Sequence, residues 1–508
     1  MKILVLGAGA REHAIVKALL RTGTAKDDLI VAPGNAGIAL DAHTEPSLNP
    51  NMPLDVTKFA LEHGIELAII GPEAPLVAGV SDALRSEGIA VFGPSQAAAQ
   101  LEGSKSFAKE VMAAAGVPTG MARECSTIEE VADAMDEFGA PYVIKADGLA
   151  AGKGVIVTND RDAALAHAEK FMDIGILVEE FLAGQEVSLF FLADGKTVVP
   201  LTPAQDFKRA YDNDEGPNTG GMGAYSPLPW LPEGFVEEVQ RDVAQPTVDE
   251  MAKLGTPFIG LLYCGLILTQ RGIRVIEFNA RFGDPETQVV LRRLQTPLEI
   301  LLHSAARGHL DTAPIPTFSD EKAVAVVLAS EGYPESSAPS RVIRGLRKAV
   351  LGQSSKVEIC HAATVQKNNS AGKLEFLSTG GRVLTIVAVG KTFAKVAVEA
   401  GKLDDAASEL QAIVDKPADD SLAELARQRL ARVLAAQDKA DAALKLLDGK
   451  VEPAFAASRE ELKGDLLVQL GRNDDAYAAY EKAKAALAED AAVGGLQMKL
   501  DDLAKGDA

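Results

Sequence analysis

The residues Val275-Ile276-Glu277-Phe278-Asn279-Ala280-Arg281-Phe282-Gly283-Asp284-Pro285-Glu286-Thr287 read as a strand that runs into a polar loop. Side chains on a strand alternate between faces, so Glu277, Asn279 and Arg281 share one face while Phe278, Ala280 and Phe282 share the other. Two oxygen donors about 7 Å apart along the strand suit Mg²⁺, which takes one or two protein ligands and completes its shell with nucleotide phosphates. A guanidinium two residues further on can hold a carboxylate or a phosphate by its fork of donors. The same alternation also describes an antiparallel strand with one solvated face. This stretch alone does not choose between the two.

Working outward, the 508 residues are enough for roughly three or four domains. No apolar run of about 18 residues occurs, so no membrane-spanning helix is expected. Met1–Gly7 starts as a strand and lacks the pattern of a signal peptide. The three cysteines, Cys125, Cys264 and Cys360, are few, odd in number and far apart, which fits a reducing cytoplasm and makes no metal cluster. A net charge of -21 argues against a nucleic-acid surface. An anionic substrate must then be met by local basic groups and backbone N–H donors.

Strands Ile3–Leu6, Leu29–Ala32, Leu67–Ile70 and Ile89–Phe92 alternate with helical patterns, as in a doubly wound parallel sheet. Each strand ends in a turn-rich loop: Gly7-Ala8-Gly9, Pro33–Gly37, Gly71–Pro75 and Gly93-Pro94-Ser95. Ligands of such sheets bind beyond the carboxyl ends of the strands, where glycines and helix N-termini can meet an anion. A dinucleotide fingerprint is the rival reading, and it fails because Glu12 stands where a third glycine or alanine is needed. Further on, Tyr142–Ala146 is an apolar strand that contains Lys145, a costly placement unless an anion pairs with it. The loop Asp147–Gly154 follows, rich in small residues and carrying Lys153. Its spacing is not that of a Walker loop, and a strand, Val155–Thr158, follows it, so it reads as a hairpin folding over phosphates or as a plain flexible hairpin. Gly216–Tyr225 reads as a glycine-rich loop that lets backbone approach a ligand.

Taken together, Arg11–Ala14, Pro33–Gly37, Gly71–Leu76, Gln100–Lys105, Lys145–Val155, Gly216–Tyr225 and Glu277–Gln288 resemble the glycinamide ribonucleotide synthetase (phosphoribosylamine–glycine ligase) family of ATP-grasp enzymes over residues 1 to about 390. The resemblance implies a mixed α/β and α+β chain. It has a doubly wound N-terminal domain over 1–102 and an ATP-grasp domain over 103–320, with its lid at about 118–190. A truncated C-domain follows over 321–390. It further implies ATP and Mg²⁺, with Mn²⁺ as an alternative, and glycine and phosphoribosylamine as substrates. By position, Lys105, Lys145 and the loop residues Gly152, Lys153 and Gly154 would meet ATP phosphates. Glu179, Glu180, Phe181 and Leu182 would bracket adenine, and Glu186 would hold the ribose. Glu277 and Asn279 would bind the metal, while Asp206 and Arg281 would place glycine. Phosphoribosylamine would be received by Gly9, Arg11, Glu12 and His13, by Gly34, Asn35 and Gly37, and by Pro72 and Glu73. The expected chemistry passes through a glycyl phosphate and needs no Ser, Cys or His nucleophile.

The sequence departs from the family at Ala10, at a short segment before Ile176, and after Gly390, where the family's closing helix is expected to be missing and Lys395–Gly401 to replace part of it. Residues 391–508 are helical in pattern and free of strands. Gly401–Ala406, Gln437–Ala442 and Gly471–Ala476 align as repeats of tetratricopeptide spacing, similar to the repeat domain of bacterial ancillary translocon subunits. Such an array takes a peptide or protein partner, or associates with itself. Two alternatives stay open: a different ATP-grasp carboxylate–amine ligase, and a repeat-bearing scaffold whose ligase half is inactive.

Overall fold

The computed structural model describes the chain except for residues 149–153, 212–214, 347–355, 370–371, 373, 392, 394–402, 418–419, 452, 487–495, 498, 501–502 and 504–508. Gly152, Lys153 and all of the expected helix at 395–401 therefore lie outside the described residues. Two compact units divide between Val389 and Gly390.

In the first unit, β1 (Ile3–Gly7), β2 (Leu29–Pro33), β3 (His43–Thr44), β4 (Leu67–Ile70) and β5 (Ala90–Phe92) form one parallel sheet in the order β3-β2-β1-β4-β5. Ile3, Leu4, Val5 and Leu6 are fully buried, as a central strand covered on both faces requires. The expected sheet is thus present, and its loops at Gly7–Gly9, Pro33–Gly37 and Gly71–Pro75 leave from the same strand ends. Helix Ala10–Arg21 starts directly after the first loop, where Glu12 reaches back to accept the Gly9 N–H at 2.5 Å.

A small antiparallel sheet follows, made of β6 (Ala122–Cys125), β7 (Tyr142–Ala146), β8 (Val155–Thr158) and β9 (Ile176–Glu179) in the order β6-β9-β7-β8. It has its own core, which includes Val131, Met135, Ile144 and Val178. The next strands are β10 (Gln185–Asp194), β11 (Val198–Pro200), β12 (Gln205–Tyr211), β13 (Glu215–Ser226), β14 (Ile259–Thr269) and β15 (Gly272–Asn279). β11-β10-β14-β15 is one sheet, so residues 185–190 of the expected lid sit in the larger body.

The stretch Gly216–Tyr225 is not a loop. It forms β13, which pairs with β12 and, through Gly223–Ser226, with β16 (Lys322–Ala329). Its glycines serve close backbone approach: a Cβ on Gly223 would lie 2.8 Å from the Ala325 carbonyl oxygen, and Gly221 has φ +105° beside Pro285. The remaining strands are β17 (Val342–Ile343), β18 (Val357–His361), β19 (Thr364–Asn368), β20 (Leu374–Ser378) and β21 (Arg382–Gly390). They complete the sheets β12-β13-β16-β21-β18 and β17-β20-β19.

The second unit contains helices Leu403–Asp415, Asp420–Ala436, Ala440–Leu446, Pro453–Gln469 and Asn473–Ala485. One turn of the repeat alignment is corrected. Asp438, with φ +60°, occupies the left-handed position that Gly471 holds at +70°. In each, the next N–H returns to a carbonyl five residues back, Lys439 to Leu434 and Arg472 to Leu467. The buried small residues are therefore Ala406, Ala443 and Ala476, not Ala442, which is exposed. Arg459 is 1% exposed and pairs with Glu424 on helix Asp420–Ala436.

Candidate active site

Lys145 lies in the middle of the small sheet and is 5% exposed. The anion it needs is Glu179, which the antiparallel pairing of β7 with β9 sets opposite Val143 and so diagonal to Lys145 on the same face, at 2.9 Å from Nζ. Lys109 stands 3.4 Å from the other Glu179 oxygen and also donates to Thr119 and to the Gly120 carbonyl. The lysine's second contact is decisive for the site. β15 pairs Val275 with Leu266 and Glu277 with Gly265, so Ile276 is skipped in a bulge. Lys145 donates to the Ile276 carbonyl at 3.1 Å. The bulge thus ties the strand that carries the lysine to the strand that carries Glu277 and Asn279.

Lys105 joins them from the start of helix Lys105–Ala115, where Ser104 and Asp147 accept the first N–H groups. Its ammonium donates to the carbonyls of Ala146 at 2.8 Å and Gly148 at 3.0 Å. Burial pulls its pKa down, with Lys145 adding to the fall and Glu277 opposing it. Burial would raise the pKa of Glu277, yet Lys208, Lys145 and Lys105 outweigh it and hold the carboxyl below its ordinary value. Glu277 and Asn279 offer hard oxygens beside two lysines. Among the described residues no group of three or more His, Cys, Asp or Glu could hold a metal ion. A Mg²⁺ ion that takes two protein oxygens and nucleotide phosphates needs no such group, so the donor set fits.

On β12, burial pushes the Asp206 carboxyl up to about 7, against the pull of Lys208 and with Glu286, Glu186 and Glu277 adding to the rise. Lys208 bonds Glu186 at 2.8 Å and is held protonated by Asp206, Glu186 and Glu277 despite burial. Glu286 is buried and accepts from Tyr263 Oη at 2.9 Å. Arg281 leaves the end of β15 between two carboxylates: Nη2 is 2.8 Å from Glu102, and Nε is 3.4 Å from Glu73. Glu102 also accepts the Ala280 N–H at 2.7 Å. Burial raises the Glu102 carboxyl while Arg281 draws it down, whereas both carboxylates hold Arg281 charged. The short pair and its backbone bond mark Glu102 as ionised.

The loops of the first sheet close in on Arg281. Arg11 bonds Glu12 at 2.6 Å and donates to the Phe282 carbonyl at 3.1 Å. Glu12 is buried, and a Cβ on Gly71 would lie 2.2 Å from it. His13 is buried, contacts Asp41 at 2.9 Å and accepts the His361 N–H at 2.8 Å. Its burial lowers its pKa and keeps it neutral. Asn35 accepts from the Gly37 and Ile38 N–H groups, both at 2.9 Å. Gly34 has φ +72°, and Pro72 caps the short helix that begins at Glu73.

At the far end, the Glu180 N–H donates to the Met121 carbonyl, its carboxylate accepts the Met121 N–H, and it pairs with Arg271. Phe181 is exposed, Leu182 is half-buried, and the Gly154 carbonyl accepts the Ala146 N–H at 2.7 Å. Sequence reading missed Glu102, Lys109, Lys208, Glu286 and Tyr263. Glu102 and Glu286 lie inside stretches already singled out and Lys208 stands two residues after Asp206, but only folding shows which of their neighbours they meet.

The chain is similar to known proteins over most of its length. The phosphoribosylglycinamide synthetase N domain matches residues 1–102, its ATP-grasp (A) domain 103–287 and its C domain 323–410, while a tetratricopeptide repeat-like domain matches 388–505. Phosphoribosylamine–glycine ligase of Leifsonia xyli subsp. xyli is 63% identical over 395 residues, covering 78% of this chain and 93% of the relative. The Streptomyces coelicolor protein of that name is 55% identical, covering 77% and 92%. Phosphoribosylamine–glycine ligase from Thermotoga maritima superposes with a TM-score of 0.67 at 29% identity, over 80% of this chain and 96% of that one. A biotin carboxylase domain from Hydrogenobacter thermophilus shares the fold at a TM-score of 0.57 and 18% identity. The chain belongs to the phosphoribosylamine–glycine ligase family.

Proposed function

We propose that the protein joins glycine to 5-phosphoribosylamine, cleaving ATP to ADP and phosphate and yielding glycinamide ribonucleotide for purine synthesis. The observation that carries this reading is the meeting of Lys145 and Lys105 with Glu277 beside Arg281, in a chain 63% identical to a relative of that name. Mg²⁺ held by Glu277 and Asn279 would neutralise charge on the phosphates as the phosphoryl group moves, and Mn²⁺ would suit the same oxygens.

Lys145 and Lys105 supply point charges for the phosphates, which Gly152, Lys153 and Gly154 would also meet. The backbone of Glu179–Leu182 borders adenine, with Glu186 on the ribose. The guanidinium of Arg281 takes the glycine carboxylate, and the Asp206 carboxylate takes the glycine ammonium. In the first step the γ-phosphoryl group passes to a glycine carboxylate oxygen and ADP departs. In the second, the amine of phosphoribosylamine, presented by the loops at Gly9–His13, Gly34–Gly37 and Pro72–Glu73, attacks that carbonyl carbon. The C–O bond to phosphate breaks and the amine loses a proton. Positioning and charge neutralisation suffice for such transfers.

A cytoplasmic site of action is supported by three unpaired, buried cysteines. No helix among the described residues is long and apolar enough to cross a membrane. The helical unit would take a peptide or protein partner. Coupled ADP release tests the reaction: it requires glycine and phosphoribosylamine together and falls away with either omitted. Turnover with another amine at equal rate would favour a different carboxylate–amine ligase, and nucleotide binding without ADP release would favour a scaffold.

A further inference from the structure

The turn that joins β18 to β19, His361–Thr364, lies on the loop Pro33–Gly37 of the first sheet. Asn35 Nδ2 donates to the His361 carbonyl at 2.8 Å and to the Ala8 carbonyl at 2.8 Å, so one side chain ties two substrate loops to the C-terminal part of the unit. The Ala36 N–H donates to the Thr364 carbonyl at 3.3 Å, and Gln366 Nε2 donates to the Ala36 carbonyl at 2.9 Å. From the other side, the His361 N–H donates to His13 Nδ1 at 2.8 Å. The imidazole of His361 is 6% exposed and meets Thr364 Oγ1 at 3.1 Å.

Gly37 explains why the ring sits there. Its backbone, at φ -81° and ψ -43°, is one that any residue adopts. The glycine is needed for space instead: a Cβ would lie 2.3 Å from His361 Cγ and 2.4 Å from Cδ2. Loop and ring are therefore fitted to each other, at the strand ends where ligands of such sheets bind.

We infer that His361 and the turn behind it are positioning elements of the phosphoribosylamine site, setting the Pro33–Gly37 loop through Asn35, Ala36 and Gly37. This rests on the reading that the loop receives phosphoribosylamine. It gives the C-terminal domain a part in substrate binding that none of its side chains was expected to have.

Four variants of the full chain test it: G37A, H361G, the double variant G37A/H361G, and Q366A, a surface change that breaks only the bond to Ala36. Initial rates of ADP release are measured against each substrate in turn, alongside thermal unfolding. G37A is expected to raise the KM for phosphoribosylamine on the order of 10- to 100-fold, the scale of a displacement near 1 Å, while the KM values for ATP and glycine stay put. The double variant should recover most of that loss, because H361G removes both the ring and the Cβ, which would otherwise lie 2.3 to 2.6 Å from the new methyl. Q366A should move the same KM in the same direction. If G37A and Q366A lower the melting temperature and leave the KM for phosphoribosylamine unchanged, or if the double variant is no better than G37A, the turn is packing alone and the inference falls while the ligase reaction stands. If the wild-type chain releases no ADP with all three substrates, the proposed reaction itself falls, and the substrate named here with it.

Discussion

Replacing Lys145 by methionine separates what that lysine does for the fold from what it does for ATP. Lys145 and Glu179 are 5% and 6% exposed and 2.9 Å apart. Removing one partner of a buried pair costs about 3–5 kcal/mol, because the other charge stays behind without compensation. Lys109 remains 3.4 Å from the second Glu179 oxygen, which places K145M near the lower end, at about 3 kcal/mol. In a unit spanning Met1–Val389 that is a fall in melting temperature of about 4 °C. The variant K145M/E179Q removes both charges of the pair but leaves Lys109 with only Thr119 and the Gly120 carbonyl, so it should regain part of that stability and not all of it. Turnover should not follow. A charge-assisted contact to phosphate is worth about 1.5–3 kcal/mol, so kcat/KM for ATP should drop roughly 10- to 100-fold in both variants. Calorimetry and coupled ADP release on the same samples give the two readings. If K145M/E179Q recovers ATP turnover together with stability, Lys145 acts only through Glu179 and the nucleotide role is refuted. If K145M melts with the wild type, the pair does not hold the small sheet as argued.

Asp206, with its carboxyl raised to about 7, makes glycine use depend on pH. Its carboxylate form is needed for the glycine ammonium, so kcat/KM for glycine should climb as pH rises through about 7, and D206N should be slower and lose that step. The stability effect has the opposite sign. The raised pKa contributes stability that is fully present below the unfolded value of about 3.9 and lost as pH rises through about 7, so D206N should flatten the decline seen in pH-dependent unfolding. E102Q removes the charge at 2.8 Å from Arg281 and should raise the KM for glycine about tenfold, one charge-assisted bond's worth, with the KM for ATP unmoved. An equal rise in both would show general loosening instead. In the helical unit, R459M leaves Glu424 buried with only Arg427 and Gln428 donating to it, and should destabilise those helices by about 3 kcal/mol in denaturant titrations followed by circular dichroism. ADP release should be unaffected, and its loss would show that the ligase unit depends on the helical one.

Much of the molecule can be read from local pattern. The apolar runs Ile3–Leu6, Leu29–Ala32 and Leu67–Ile70 announce their own strands, because a parallel strand buried on both faces has to be apolar throughout. Lys145 inside such a run announces an anionic partner, because an unpaired buried ammonium is too costly to keep. Glu277, Asn279 and Arg281 announce one working face, because a strand's side chains alternate. These inferences need only the residues next to one another in the chain, whereas the family and the reaction are implied by the resemblance that the ordered motifs carry together.

Tertiary structure decided which groups meet. That the partner of Lys145 is Glu179 follows from the register of β7 on β9, and that Lys145 reaches the strand carrying Glu277 and Asn279 follows from one skipped residue at Ile276. Gly216–Tyr225 became a strand because β12 and β16 lie on either side of it, and glycine there reports closeness to another backbone as readily as to a ligand. Asp438 set the turn of the middle repeat one residue later than a glycine-based alignment places it, since the left-handed backbone defines that turn and aspartate can adopt it. Glu102 on Arg281 and His361 against Gly37 join residues 179 and 324 positions apart. Periodicity along the chain describes how a segment faces its surroundings, and the register between segments decides what those surroundings are.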